Sequence, residues 1–193
     1  RGAIVGVGRD GEIITDAALP APADPLAYLA RWTSAVARAA EYENLPVSAM
    51  ERRNRHHALL GRTVFRHGGA GDGDTRTNRA IEALRADVER AMDAAGLDVW
   101  LTPALADLPP EATYWHRRSW GRSLWASMRF APFSPLANVL GWPALGVPCG
   151  RTRTPAGRDL PTSVQLLGRP GSEGTLLALA ALLERDAPWA RTA

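Results

Sequence analysis

"FAPFSPLANVLGWPALGVPCG", Phe130 to Gly150, decides how this chain is read. The stretch is as apolar as a buried strand, yet Pro135, Asn138, Gly141 and Pro143 interrupt it at close spacing. Gly accepts a positive φ and Pro cannot continue a helix, so these positions predict a tight helical turn that stops at Gly141 and sends the chain straight into a buried strand, "ALGVP". Asn138 is expected to fix that turn by bonding local backbone groups which the broken helix leaves open. Arg151 to Asp159 reads as a polar loop with Pro155 and Gly157, and "LPTSVQLLG" returns as the next strand, giving a hairpin with a long connection. After "RPGSEG" comes a helix with Ser172 as N-cap and Glu173 near its positive end. Its Leu176, Leu179, Ala180 and Leu183 form a core stripe before Pro188.

Working back towards the N-terminus, "LDVWLTP" is a short buried strand ended by Pro103. Before it, Ile81, Leu84, Val88 and Met92 lie on one face of a helix capped by Asp74 or Thr75 and stopped by Gly96. Gly68 to Asp74, "GGAGDGD", has neither the order of a dinucleotide fingerprint nor the Lys of a phosphate loop, nor the later ligands of a calcium loop, and reads as a linker. "MERRNRHHALLGR", Met50 to Arg62, is a polar helix. Asp24-Pro25 opens another, with Leu26, Leu29, Thr33, Val36 and Ala40 on one face, ending near Asn44 and Pro46. "AIVGVGRDGEIIT" holds two β-rich runs around an Arg9-Asp10-Gly11 turn, a hairpin signal. Helices and strands in this succession point to an α/β fold.

Composition narrows the chemistry. A chain of 193 residues that is 46% hydrophobic and 22% charged has enough apolar material for one real core. It contains no apolar run near the roughly 18 residues of a membrane span, and its start lacks the long apolar region of a signal peptide, so a cytoplasmic protein without a membrane partner is expected. All 23 basic residues are Arg, which removes Schiff-base chemistry and any Ser–Lys pair built from this chain alone. Arg titrates too high to act as a base. A net charge of +3 gives only a weak field for nucleic acid, which is not an expected partner. Cys149 is the single cysteine, so there is no internal disulfide, and it reads as a small buried side chain.

Other features have bland readings. His56 and His57 are adjacent on a helix and so point about 100° apart, without a further ligand at the next turn; solvated surface is expected rather than metal. "YWHRRSWGRSLW" mixes Arg with Trp as single-strand nucleic-acid binders do, but Trp120, Leu124 and Met128 share a helical face, which favours a core-packed helix.

"DVWLTPALADLPPEA", "FAPFSPLANVLGWPALGVPCG", "LPTSVQLLGRPGSEGTLLALAALLE" and the closing "APW" resemble, in this order, the C-terminal segments of the amidase signature family. The match runs from about Asp98 to Trp189, and the stretch 24–96 fits more loosely as a mainly helical region. The resemblance implies that residues 1–193 form the C-terminal part of one amidase-type domain, a mixed β-sheet covered by helices. It also implies amide hydrolysis by a Ser nucleophile, a bridging cis-Ser and a Lys, with Gly-rich backbone N–H groups holding the oxyanion. This chain has no Lys and no Gly-Ser-Ser-Gly loop; Ser119, Ser123, Ser127 and Ser134 lie in other contexts. The catalytic residues are therefore expected upstream of Arg1, and no catalytic, metal or cofactor residue is assigned within the chain.

What this segment would supply is sheet strands and pocket walls. Trp125, Phe130, Phe133 and Asn138 are the candidate substrate-binding residues, suited to an apolar or aryl group on the amide. The implied partners are a small-molecule amide, the upstream part of the same amidase and a second copy of the chain. Two alternatives keep the fold and change the role, one being a transamidating A-type subunit that works on aminoacyl-tRNA and the other a non-catalytic interaction domain. Transamidating relatives carry an acidic pair at the turn before the last helix, where this chain has Gly171-Ser172-Glu173.

Overall fold

The computed structural model describes residues 5–8, 13–15, 33, 35–36, 39–63, 75–109 and 117–189. The chain divides into two compact units, Arg1–Leu19 with Val88–Ala193, and Pro20–Asp87.

The first unit is built on a five-stranded sheet of order β2-β1-β3-β5-β4. Strands β1 (Val5–Gly8) and β2 (Ile13–Thr15) pair antiparallel, as their β-rich runs require; the turn between them lies outside the described residues. β3 (Leu97–Pro103) follows the turn at Gly96, whose φ of 66° is the left-handed conformation expected of a helix stop. β4 (Ala144–Arg153) and β5 (Asp159–Gly168) form the hairpin, with β5 inserted between β3 and β4. The α/β class holds, but every described strand pair is antiparallel, in place of the mixed pairing that the resemblance implies. The long connection from β3 to β4 returns the chain in the direction of β3, but β5 separates the two strands, so no parallel ladder forms between them.

One face of the sheet carries Val99 and Leu101, Val164 and Leu166, and Leu145 and Val147, brought into line by the register Leu101↔Leu166↔Leu145. The C-terminal helix Glu173–Asp186 covers this face with Leu176, Leu179, Ala180 and Leu183, and Trp189 packs beside them. The stripe read from its spacing is therefore the stripe it buries. Gly168 leads into that helix: a Cβ there would run into the Ser172 hydroxyl and come within 3.2 Å of Leu176 Cδ2. Ser172 occupies the N-cap position, yet its side chain makes no capping bond, and its buried Oγ has no partner among the described residues. Arg169 closes the same corner, with Nη2 2.5 Å from Asp93 Oδ1 and Nη1 donating to Leu97 O at 3.3 Å.

Three expectations change here. The polar loop Arg151–Asp159 is shorter than expected and shrinks to residues 154–158, because β4 runs on to Arg153 and β5 begins at Asp159, with Arg151 Nε 2.5 Å from Asp159 Oδ2 across the hairpin. Only Val147 of β4 is buried, since β4 is an edge strand. Cys149 is exposed, because it sits at the register shift between Pro148 and Gly150 where the edge departs from regular pairing.

In the second unit, Thr33 and Ala40 are buried and Val36 half-buried, on the expected helical face; Leu26 and Leu29 lie outside the described residues, as does the Gly68–Asp74 stretch. That segment ends at Asn44, whose positive φ of 51° suits a residue able to adopt the left-handed region. After a short 3-10 turn at Val47–Ala49 comes α1 (Arg52–Thr63). His56 is exposed on it, but His57 is buried, contrary to the solvated reading, because it falls on the inward side next to Ala58. Burial, with the charges of His56 and Arg53 nearby, holds the His57 imidazole below its usual pKa. Helix α2 (Thr75–Ala94) contributes residues to both units and buries Ile81, Leu84, Val88 and Met92 as their spacing requires.

Candidate substrate-binding site

Between β3 and β4 the chain forms two helices, α3 (Trp120–Phe130) and α4 (Ser134–Leu140), and the C-terminal helix is then α5 (Glu173–Asp186). Pro132 and Pro135 explain the break: Pro135 suits the first turn of α4, and the chain at Ala131 leaves helical angles with φ −126° and ψ 65°. The result is a sharp corner flanked by Phe130 and Phe133, both half-buried. Ala106 N–H donates to Phe130 O at 2.9 Å, and Ala104 N–H donates to Ser163 O at 3.1 Å. The corner is thus tied to the loop leaving β3, and that loop to β5.

The four candidate residues do not share one surface. Phe130 and Phe133 flank the corner, whereas Trp125 is 64% exposed on α3, and Asn138 is exposed on α4 opposite the buried Ala137, Val139 and Leu140. Met128 is exposed as well, so the face expected to be core is only partly so: Trp120 and Leu124 are half-buried, and the helix turns its third member outward.

Gly141 has φ 67° and ψ 29°, the left-handed stop read from the sequence. Asn138 does not supply the expected bonds. Instead Ala137 O accepts from Gly141 N–H at 2.9 Å and from Trp142 N–H at 3.2 Å, so the backbone closes the helix end without a side chain.

A further pair lies on β3, inside the "DVWLTP" segment, to which no site role was given from the sequence. Trp100 and Thr102 project from the face opposite the α5-covered one; both are buried, and neither Trp100 Nε1 nor Thr102 Oγ1 has a hydrogen-bond partner among the described residues. Thr102 stands across from Gln165, which in turn stands across from Gly146. Only pairing register reveals this row, and period-two alternation along β3 alone was its available signal.

The fold has known counterparts. The sequence model of the family described as Amidase matches residues 17–177, and the chain belongs to that family. AmiB2 of Mycobacterium tuberculosis, an amidase by name, is 40% identical over 94 residues, 49% of this chain and 20% of that protein. The A-type subunit of the glutamyl-tRNA(Gln) amidotransferase of Nitrobacter hamburgensis is 30% identical over 146 residues, 76% of this chain and 28% of that protein. Among solved structures, 6-aminohexanoate cyclic dimer hydrolase superposes with a TM-score of 0.64 at 23% identity, covering 84% of this chain and 35% of the other, and shows a shared fold. The chain spans about a fifth to a third of the length of these proteins.

Proposed function

We propose that this chain works in amide-bond hydrolysis, as the part of an amidase that supplies sheet strands and the wall of the substrate pocket. The observation that carries the reading is the family match over residues 17–177, which takes in the β3 strand and the α3–α4 corner together. The Ser–cis-Ser–Lys machinery would come from residues outside these 193, which contain no Lys. An uncharged Lys amine draws a proton through a Ser hydroxyl relay, and a Gly-rich loop stabilises the oxyanion. Phe130 and Phe133 would offer apolar surface to an aryl or alkyl group on the amide, with Trp125 and Asn138 at the rim.

The test is an assay of aryl-amide hydrolysis by the product of the whole reading frame that contains this sequence. Turnover is expected, with Phe130→Ala raising KM by roughly tenfold, the loss of a buried aromatic contact, while the 193-residue chain alone is inactive. Turnover by that chain alone, abolished by replacing one of its own serines, would overturn the reading.

A second reading has its own support in the amidotransferase match, which covers more of the chain than the match to AmiB2. It differs in requiring an ammonia acceptor on tRNA. Glutamine hydrolysis that accelerates only with aminoacyl-tRNA and partner proteins would favour it; the Gly171-Ser172-Glu173 turn stands on the other side.

A further inference from the structure

The net charge of +3 conceals an uneven distribution. Residues 112–158 hold seven Arg and not one Asp or Glu, while the rest of the chain has 16 Arg against 20 acids. The acid-free stretch contains all four candidate substrate-binding residues and the whole of β4. The remainder is net acidic, so the positive field belongs to this wall rather than to the molecule at large.

On α3 the charge takes a definite form. Arg122, Trp125 and Arg129 stand at i, i+3 and i+7, so they line one side of the helix, away from the buried Ser123. All three are exposed, and neither Arg makes a hydrogen bond or ion pair among the described residues. At about 1.5 Å of rise per residue the two Arg are roughly 10.5 Å apart along the axis, with the indole between them. The row ends beside Phe130, which opens the corner and whose carbonyl accepts from Ala106 N–H. A face that meets only water usually mixes signs, as α2 does with Arg85 and Glu82 and α5 with Arg185 and Asp186. Here one sign flanks an exposed indole. Asp107, in the loop tied to this corner, is taken up locally, its Oδ1 accepting from Leu108 N–H at 2.7 Å.

This arrangement suits an anion attached to an apolar body. A guanidinium binds a carboxylate through two parallel N–H···O bonds, and an indole beside it covers the carbon chain that carries the charge. We infer, given the amide-hydrolysis reading of this same wall, that Arg122 and Arg129 select amides that carry a carboxylate beyond their apolar group. The acid-free stretch also draws such substrates in from a distance, through a field that salt screens.

The 4-nitroanilides of succinate and butyrate, which differ by a carboxylate in place of a methyl group, test this on the product of the whole reading frame. In dilute buffer kcat/KM is expected to be at least about tenfold higher for the succinyl compound. That advantage should shrink several-fold in about 1 M NaCl, where the screening length falls to about 3 Å. Arg122→Gln with Arg129→Gln should bring the ratio of the two kcat/KM values near one, whereas Arg122→Lys with Arg129→Lys should retain part of it, since the charge stays and the paired bonds do not. The salt series uses the unaltered protein, so it stands whatever the variants do to folding. Equal kcat/KM values for the two anilides overturn the inference and leave amide hydrolysis standing, as does a preference that neither salt nor the Gln pair reduces. Turnover of neither anilide removes the amidase reading of this wall and the inference with it.

Discussion

Strands β3 and β4 carry the same kind of apolar run, "LDVWLTP" against "ALGVP", but β3 lies third in the five-strand order and β4 lies at its edge. In β3, Leu97, Val99, Trp100 and Thr102 are buried and the other residues half-buried, on both sides of the strand. In β4 only Val147 is buried. Over these apolar runs the two strands differ chiefly in what stands beside them. β4 also has the devices that keep an edge from pairing with foreign strands: Pro148, a register shift there, Gly150 at φ 131°, and exposed Arg151 and Arg153. Exposed apolar residues in β4 thus belong to an edge that is partly blunted, whereas a polar group in β3 has nowhere to go.

The largest effect should come where β4 behaves like β3. Val147→Asp places an unpaired charge against Val99, Leu166 and Leu176 and should cost about 3–5 kcal/mol in urea unfolding. A loss below about 1 kcal/mol would mean that the α5-covered face opens to water and that β4 is an edge throughout.

Next comes the junction that delivers the chain to β4. Gly141→Val, at φ 67°, should cost on the order of 1–3 kcal/mol through backbone strain, while Asn138→Ala, an exposed side chain outside the closing bonds, should change stability by less than about 0.5 kcal/mol. Equal costs would return the turn to side-chain control.

Thr102 sharpens the comparison from the β3 side. Because its buried hydroxyl has no partner among the described residues, Thr102→Val should be neutral or stabilise by about 1 kcal/mol, the reverse of the usual result for a buried hydroxyl. A loss of that size would show that the hydroxyl is engaged by a group beyond the described residues.

The smallest effect belongs to the edge. Gly146→Val in β4, where a Cβ meets nothing within 4 Å, should raise the denaturation midpoint slightly, by a few tenths of a kcal/mol, through better strand propensity. Marked destabilisation would mean that the open side of β4 is occupied.

Local chemistry made much of this legible. Gly96 and Gly141 stop helices because only Gly enters the left-handed region without cost, and both do so wherever the surrounding chain lies. Ile81, Leu84, Val88 and Met92 share a helical side by spacing alone, and all four are buried. The candidate site was harder. Residue type is what singles out Trp125, Phe130, Phe133 and Asn138, and type does not say which way a residue turns. The corner at Ala131 sets Phe130 and Phe133 around one bend, while helical rotation leaves Trp125 and Asn138 outside it. His57 and Cys149 depart from expectation for the same reason, one buried and the other exposed by the neighbours of its element.

The sequence by itself determined the order of helices and strands, the positions where Gly and Pro end them, the stripe that α5 buries and the family to which the chain belongs. These rest on spacing and backbone angles, which are properties of short segments. The tertiary structure decided that β5 would stand between β3 and β4, which leaves β4 at an edge, buries Thr102 and turns Leu177 and Leu182 outward. Those outcomes depend on which segment lies beside which, and strand order is set by long-range packing that no local pattern of residues contains.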